Sequence, residues 1–143
     1  MARKIEVKAV GVGAAVSIVG SMFVTIFVIF WAGFFAASSD RPGLQMDSVL
    51  SVRAVGMAVL LIDALVGLAA GLVAGKLASE HPIAQGLVVG VIALVVGLFP
   101  IVWAAAPWRL LVSDSLVSFA SPVFGAKLVE WRRHRRAAEN VAV

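Results

Sequence analysis

The chain has 143 residues, of which 62% are hydrophobic and 14% charged, with a net charge of +4 at neutral pH. Soluble domains are about 45–50% apolar and about 25% charged, so this composition leaves too little polar surface for a water-soluble globule. No cysteine is present, which excludes disulfide, thiol and Cys-ligated metal chemistry.

The first apolar segment, residues 9–37, contains no charge. As a helix of about 1.5 Å per residue it would extend about 44 Å, beyond a hydrocarbon core of about 30 Å. It must tilt or project from the membrane. A basic start and Ala36-Ala37-Ser38 resemble the ends of a signal peptide. Signal h-regions are only about 7–15 residues long, so the segment reads as a retained span. The connection that follows carries the turn signal Asp40-Arg41-Pro42-Gly43, and Asp47 or Ser48 can cap the next helix.

The second span covers residues 50–77, and its only ionisable groups between Ala54 and Gly75 reduce to one, Asp63. The loop KLASEHP leads to the third span, 83–106, with Pro82 suited to a helix start. Pro100 should kink that span, and Pro107 should end it. The fourth span, 108–129, is more polar and passes into a basic tail, 130–143. Each segment reaches the roughly 20 residues that a span requires. Short links favour antiparallel neighbours. The expected fold is therefore all-α, a four-transmembrane-helix bundle made of two helical hairpins in one membrane domain.

Charge sets the orientation. Four spans place both termini on one side, and nine of the twelve Lys and Arg residues fall there or in the KLASEHP loop. Only Arg41, Arg53 and Arg109 fall on the other side. The positive-inside rule makes both termini cytoplasmic, in a plasma (inner) membrane. Trp31, Trp103 and Trp108 then mark the outer interface and Trp131 the inner one. The tail WRRHRR is read as a topology and headgroup signal, with no nucleic acid as partner.

Small residues recur at four-residue spacing, which keeps them on one helix face. Span two has Gly67, Gly71 and Gly75 in line with Asp63, with Ala70, Ala74 and Ala78 as a parallel row. Span three has Gly86 and Gly90, span one Gly13, Ser17, Ser21 and Thr25, and span four Asp114, Ser118, Ser121 and Gly125. Such rows let helix backbones approach closely. They suit plain packing, a dimer surface or a small pore.

Asp63 lies about ten residues, or about 15 Å, below the outer interface, and Asp114 about five residues, or about 8 Å, below Arg109. An ionised Asp at the centre of a span costs about 2.5–3.5 kcal/mol on insertion scales. Three fates are open to Asp63. It can stay protonated and donate to a carbonyl or hydroxyl, pair with Arg109, or take a cation or proton together with Asp114, with Ser118 and Thr25 as further oxygens. Asp114 can equally be a solvated interfacial residue. Lys76 can snorkel to the cytoplasmic surface, and His81 reads as a wet loop residue.

No His, Cys or Met-plus-His set is placed to hold a haem or a metal. There is also no Gly-rich phosphate loop, HExxH motif or nucleophile elbow. No cofactor is expected, and no catalytic role. The hairpin LAAGLVAGKLASEHPIAQGLVVG resembles the middle of small uncharacterised bacterial four-span inner-membrane proteins, with a glycine-rich helix, a short charged loop, Pro and Gly-x-x-x-Gly. The resemblance covers residues 67–90 and implies a four-helix membrane protein, with no chemistry attached. The chain does not look like the small multidrug transporters, whose first span carries a Glu, nor like the small fluoride channels. Two functions remain. The first is a non-catalytic subunit or scaffold acting through helix–helix association, with the lipid bilayer, a homo-oligomer or a membrane-protein partner around it. The alternative is a small oligomeric transporter or channel with Asp63 and Asp114 as proton or cation site.

Overall fold

The computed structural model describes residues 5–38, 53–103 and 108–141. Among these described residues the chain is all-helical and has no strand. Four helices follow in order: α1 (Val7–Ser38), α2 (Arg53–Leu77), α3 (Pro82–Trp103) and α4 (Trp108–Val141). Two stretches, Val7–Val24 and Met57–Leu77, are long and apolar enough to cross a membrane by length and composition. The apolar stretch of α3, Pro82–Val96, is shorter. Residues 50–52 and 104–106 of the expected spans lie outside the described residues.

Helix boundaries follow local chemistry. α3 begins at Pro82, where a missing N–H is harmless. The turn before it is tight, and His81 adopts φ 50° to reverse the chain. α3 runs past Pro100 to Trp103, so that proline does not end the helix. α4 contains Pro122 yet continues for 34 residues to Val141. The basic segment 130–141 is thus helix, a continuation of α4. Glu, Arg and Ala are good helix formers, and Arg135 pairs with Glu139 one turn on, at 3.2 Å.

α2 is the central element and touches all three others, while α3 also touches α1 and α4. Its two rows of small residues serve different neighbours. The glycine row faces α4: Gly67 lies against Ser121 and Pro122, Gly71 against the Pro122 backbone, and Gly75 against Ala126 and Val129. The alanine row faces α1, where a Cβ on Gly13 would come within 2.8 Å of Ala74 and 3.2 Å of the Ala70 carbonyl. Gly86 and Gly90 of α3 also face α4, and a Cβ there would meet the Pro122 and Phe119 carbonyls at 2.9 and 2.6 Å. These pairings run parallel for α2 with α4, and antiparallel for α1 with α2 and α3 with α4. The core is correspondingly made of small side chains: Ala70, Ala74, Ala78, Val89 and Ala126 are buried. Close backbone approach lets dispersion and weak Cα–H contacts replace large apolar side chains as the cohesive force.

One end of the molecule is tied by polar contacts. Glu6 accepts hydrogen bonds from the Ser79 amide at 2.8 Å, the Ser79 hydroxyl at 2.7 Å and the Glu80 amide at 3.2 Å. The Glu6 amide in turn donates to the Gln85 side-chain carbonyl at 3.2 Å. Arg133 donates to the carbonyls of Gly75 and Ala78, at 3.0 and 2.6 Å, and more weakly to Lys76 and Ser79. A cation there meets carbonyls at and just beyond the end of α2, at the negative end of its dipole.

The seam between α2 and α4 predicts a sharp ordering of glycine variants. Gly71→Ala would press on backbone that cannot yield, and should lower stability by about 1–3 kcal/mol. Gly75→Ala, with 3.2 Å of clearance, should cost less. Gly11→Ala meets nothing within 4 Å and should be neutral or slightly stabilising. Thermal unfolding of the three variants in one detergent measures this.

Candidate functional site

Asp63 projects from α2 and Asp114 from α4. The parallel alignment of these helices sets the two carboxyl groups close enough to interact with each other. Both residues are half-buried. The Oδ1 atom of each is fully buried and receives no N–H or O–H from the surrounding described residues. Two ionised carboxylates cannot bond to each other, because each is only an acceptor. At such separation they also repel strongly in a medium of low dielectric. One proton shared between them, or one small cation held between them, removes both difficulties.

The floor of the site is the α2–α4 seam. Ser121 is buried, and its hydroxyl donates to the Val117 carbonyl at 2.7 Å. Its hydrogen bond is therefore satisfied within α4. Pro122 has no N–H to return to the Ser118 carbonyl, so the α-helical ladder has a gap there. Together Asp114, Ser118 and Ser121 form a polar strip on α4 that ends where Gly71 meets Pro122.

Of the residues expected at this site, the structure joins Asp63 and Asp114. Ser118 is half-buried one turn along α4 from Asp114. The side chains of Arg109 and Thr25 lie outside the described residues. The helix-packing glycines Gly67, Gly71, Gly75, Gly86 and Gly90 all turn toward α4 of the same chain. Among the described residues no group of three or more His, Cys, Asp or Glu side chains gathers at one place. The pair thus offers two carboxylates without a third protein ligand of that kind.

Three side chains that tie the helix ends together escaped sequence reasoning. Gln85 is completely buried, and as the one amide in its apolar run it gave a signal that was overlooked. Glu6 stood among the basic residues of the first segment and was absorbed into the charge count. Arg133 is indistinguishable in sequence from its neighbours in WRRHRR, and only the end of α2 singles it out.

Among the described residues, fold and site together define an all-helical protein with two membrane-capable helices and an acidic pair contributed by α2 and α4. No protein-family model, curated protein or solved structure matches it.

Contact between the carboxyl groups predicts energetic coupling. A double-mutant cycle of Asp63→Ala and Asp114→Ala should show a coupling of about 0.5–3 kcal/mol in unfolding free energy. Additive single effects would refute the contact.

Proposed function

We propose that this protein is a four-span membrane protein in which Asp63 and Asp114 take up and release a proton or a small monovalent cation. Its action is that of a small transporter or channel, oligomeric because four helices enclose little space. The observation that carries this reading is the meeting of two acidic side chains from different helices in an apolar interior. Ionisable groups at membrane depth are costly, and they recur along proton relays and ion pathways. Two carboxylates alone suit a proton or an alkali ion better than a divalent metal, which takes six or more oxygen ligands.

In this reading α3 and α4 cross the membrane with α1 and α2, and both termini are cytoplasmic. The polar end supports that arrangement. Glu6, the 78–81 turn and Arg133 meet there, and Lys8, Lys76 and most of the basic residues of α4 lie nearby. An excess of Lys and Arg on one side fixes the cytoplasmic face.

Action by association is the second reading. The glycine rows support it less than the sequence alone implied, because they are covered by the chain's own helices. What favours it is α1, where Met22, Phe23, Ile26, Phe27 and Phe30 are exposed. That surface fits lipid or another transmembrane helix.

Two measurements test the proposal. In proteoliposomes carrying a pH-sensitive dye, the wild type should dissipate an imposed proton or cation gradient. Asp63→Asn and Asp114→Asn should each slow it by about tenfold or more, since the carrier group is lost. Wild-type flux with no effect of either variant would sink the site, and no wild-type flux would leave the association reading. For topology, the cysteine-free chain allows single introduced thiols. Asp40→Cys should react with an impermeant maleimide on intact cells, and Glu80→Cys and Ala138→Cys only after the membrane is opened.

A further inference from the structure

The outward face of α4 changes character within three turns. Phe124, Leu128 and Trp131 are spaced four and three residues apart, on one helix face, and Phe124 and Trp131 are 61% and 57% exposed. Arg135 follows four residues later, with its guanidinium 5.9 Å from the centre of the Trp131 ring. The same face thus passes from aliphatic and aromatic to aromatic and cationic. Lys127, Arg132 and Arg136 flank it and are exposed. Arg133 is turned the other way, onto the carbonyls that end α2. Because Arg133 lies level with the end of α2, residues 134–141 extend beyond the other helices by about 12 Å.

This gradient matches the depth profile of a lipid leaflet. Phe124 and Leu128 suit acyl chain, Trp131 the interface, and the arginines the phosphate layer. A soluble polyanion such as RNA would contact the arginines but leave Phe124 and Trp131 in water. Glu139 pairs with Arg135 at 3.2 Å, yet both side chains are largely exposed, so a phosphate can displace that weak partner. Glu130 is the other acidic group on this stretch and is half-buried.

We propose that Lys127, Trp131, Arg132, Arg135 and Arg136 form a headgroup site for anionic phospholipid on the outer side of α4. The site rests on the membrane-spanning reading but not on the proton or cation role of Asp63 and Asp114. Each basic residue beside an anionic surface adds about fivefold in affinity.

The test uses the full chain in dodecylmaltoside micelles, titrated with fluorescent phosphatidylglycerol or phosphatidylcholine. The wild type should prefer phosphatidylglycerol by about tenfold or more, and less at high salt. Arg132→Gln and Arg135→Gln should each reduce the preference about fivefold, and the triple change with Arg136→Gln should abolish it. These side chains are exposed, so thermal unfolding of the variants should match the wild type. Equal affinity for the two lipids, a preference untouched in the triple variant, or a 20-nucleotide RNA that displaces the anionic lipid would each overturn the proposal. Release of the protein from membranes by alkaline carbonate would overturn the spanning reading itself. Retention without lipid preference would overturn only the headgroup site.

Discussion

The approach of α2 to α4 governs the rest of the molecule. Gly67, Gly71 and Gly75 bring one backbone onto the other, and Pro122 sits at the narrowest point. Its carbonyl lies against Gly71 on one side and Gly86 on the other, so a single peptide group of α4 touches two helices. In an apolar surrounding, helix association gains little from excluding water. It depends on the number of atoms in contact and on weak hydrogen bonds from Cα, both of which rise steeply as backbones close. Glycine on α2 and α3 is therefore a steric requirement, and the buried alanines follow the same logic on the α1 side.

The seam also explains how two acidic residues come to share one place. With Gly67 seated on Ser121 and Pro122, the stretch of α2 toward its N-terminus lies beside the polar strip of α4. The two carboxyl groups are then brought together by packing that each helix satisfies elsewhere. Their mutual repulsion is a local cost carried by an extensive apolar contact. Such an arrangement disfavours a state in which both carboxyl groups are ionised at once. It also makes the site responsive to small shifts in how α2 lies on α4.

Much of this was legible in the sequence, and the remainder had definite reasons for staying hidden. Apolar runs and the connections expected at 38–53 and 76–82 marked the helices, and the four-residue spacing of glycine and alanine marked their packing faces. The spacing could not say which neighbour each face would meet. The answer, glycine toward α4 and alanine toward α1, depends on the arrangement of all four helices. Asp63 announced itself by its isolation in an apolar run. Its choice of Asp114 required the parallel register of α2 and α4, which no local pattern encodes. α4 continues past the expected span end at 129 because hydropathy falls at residue 130 while helix propensity does not. Arg133 and Glu6 were missed because their role is to satisfy the ends of distant helices.

The two-sided packing of α2 has a mechanical corollary. A helix with one small-residue face can pivot about its long axis at little cost, trading one side-chain contact for another. α2 is keyed on two faces, with glycines seated on α4 and alanines on α1. Twisting it would unseat both at once and drive Ala70 or Ala74 into space that only glycine fits. Any motion that changes the surroundings of Asp63 must then be a slide or a tilt, with α1 carried along or left behind as a unit.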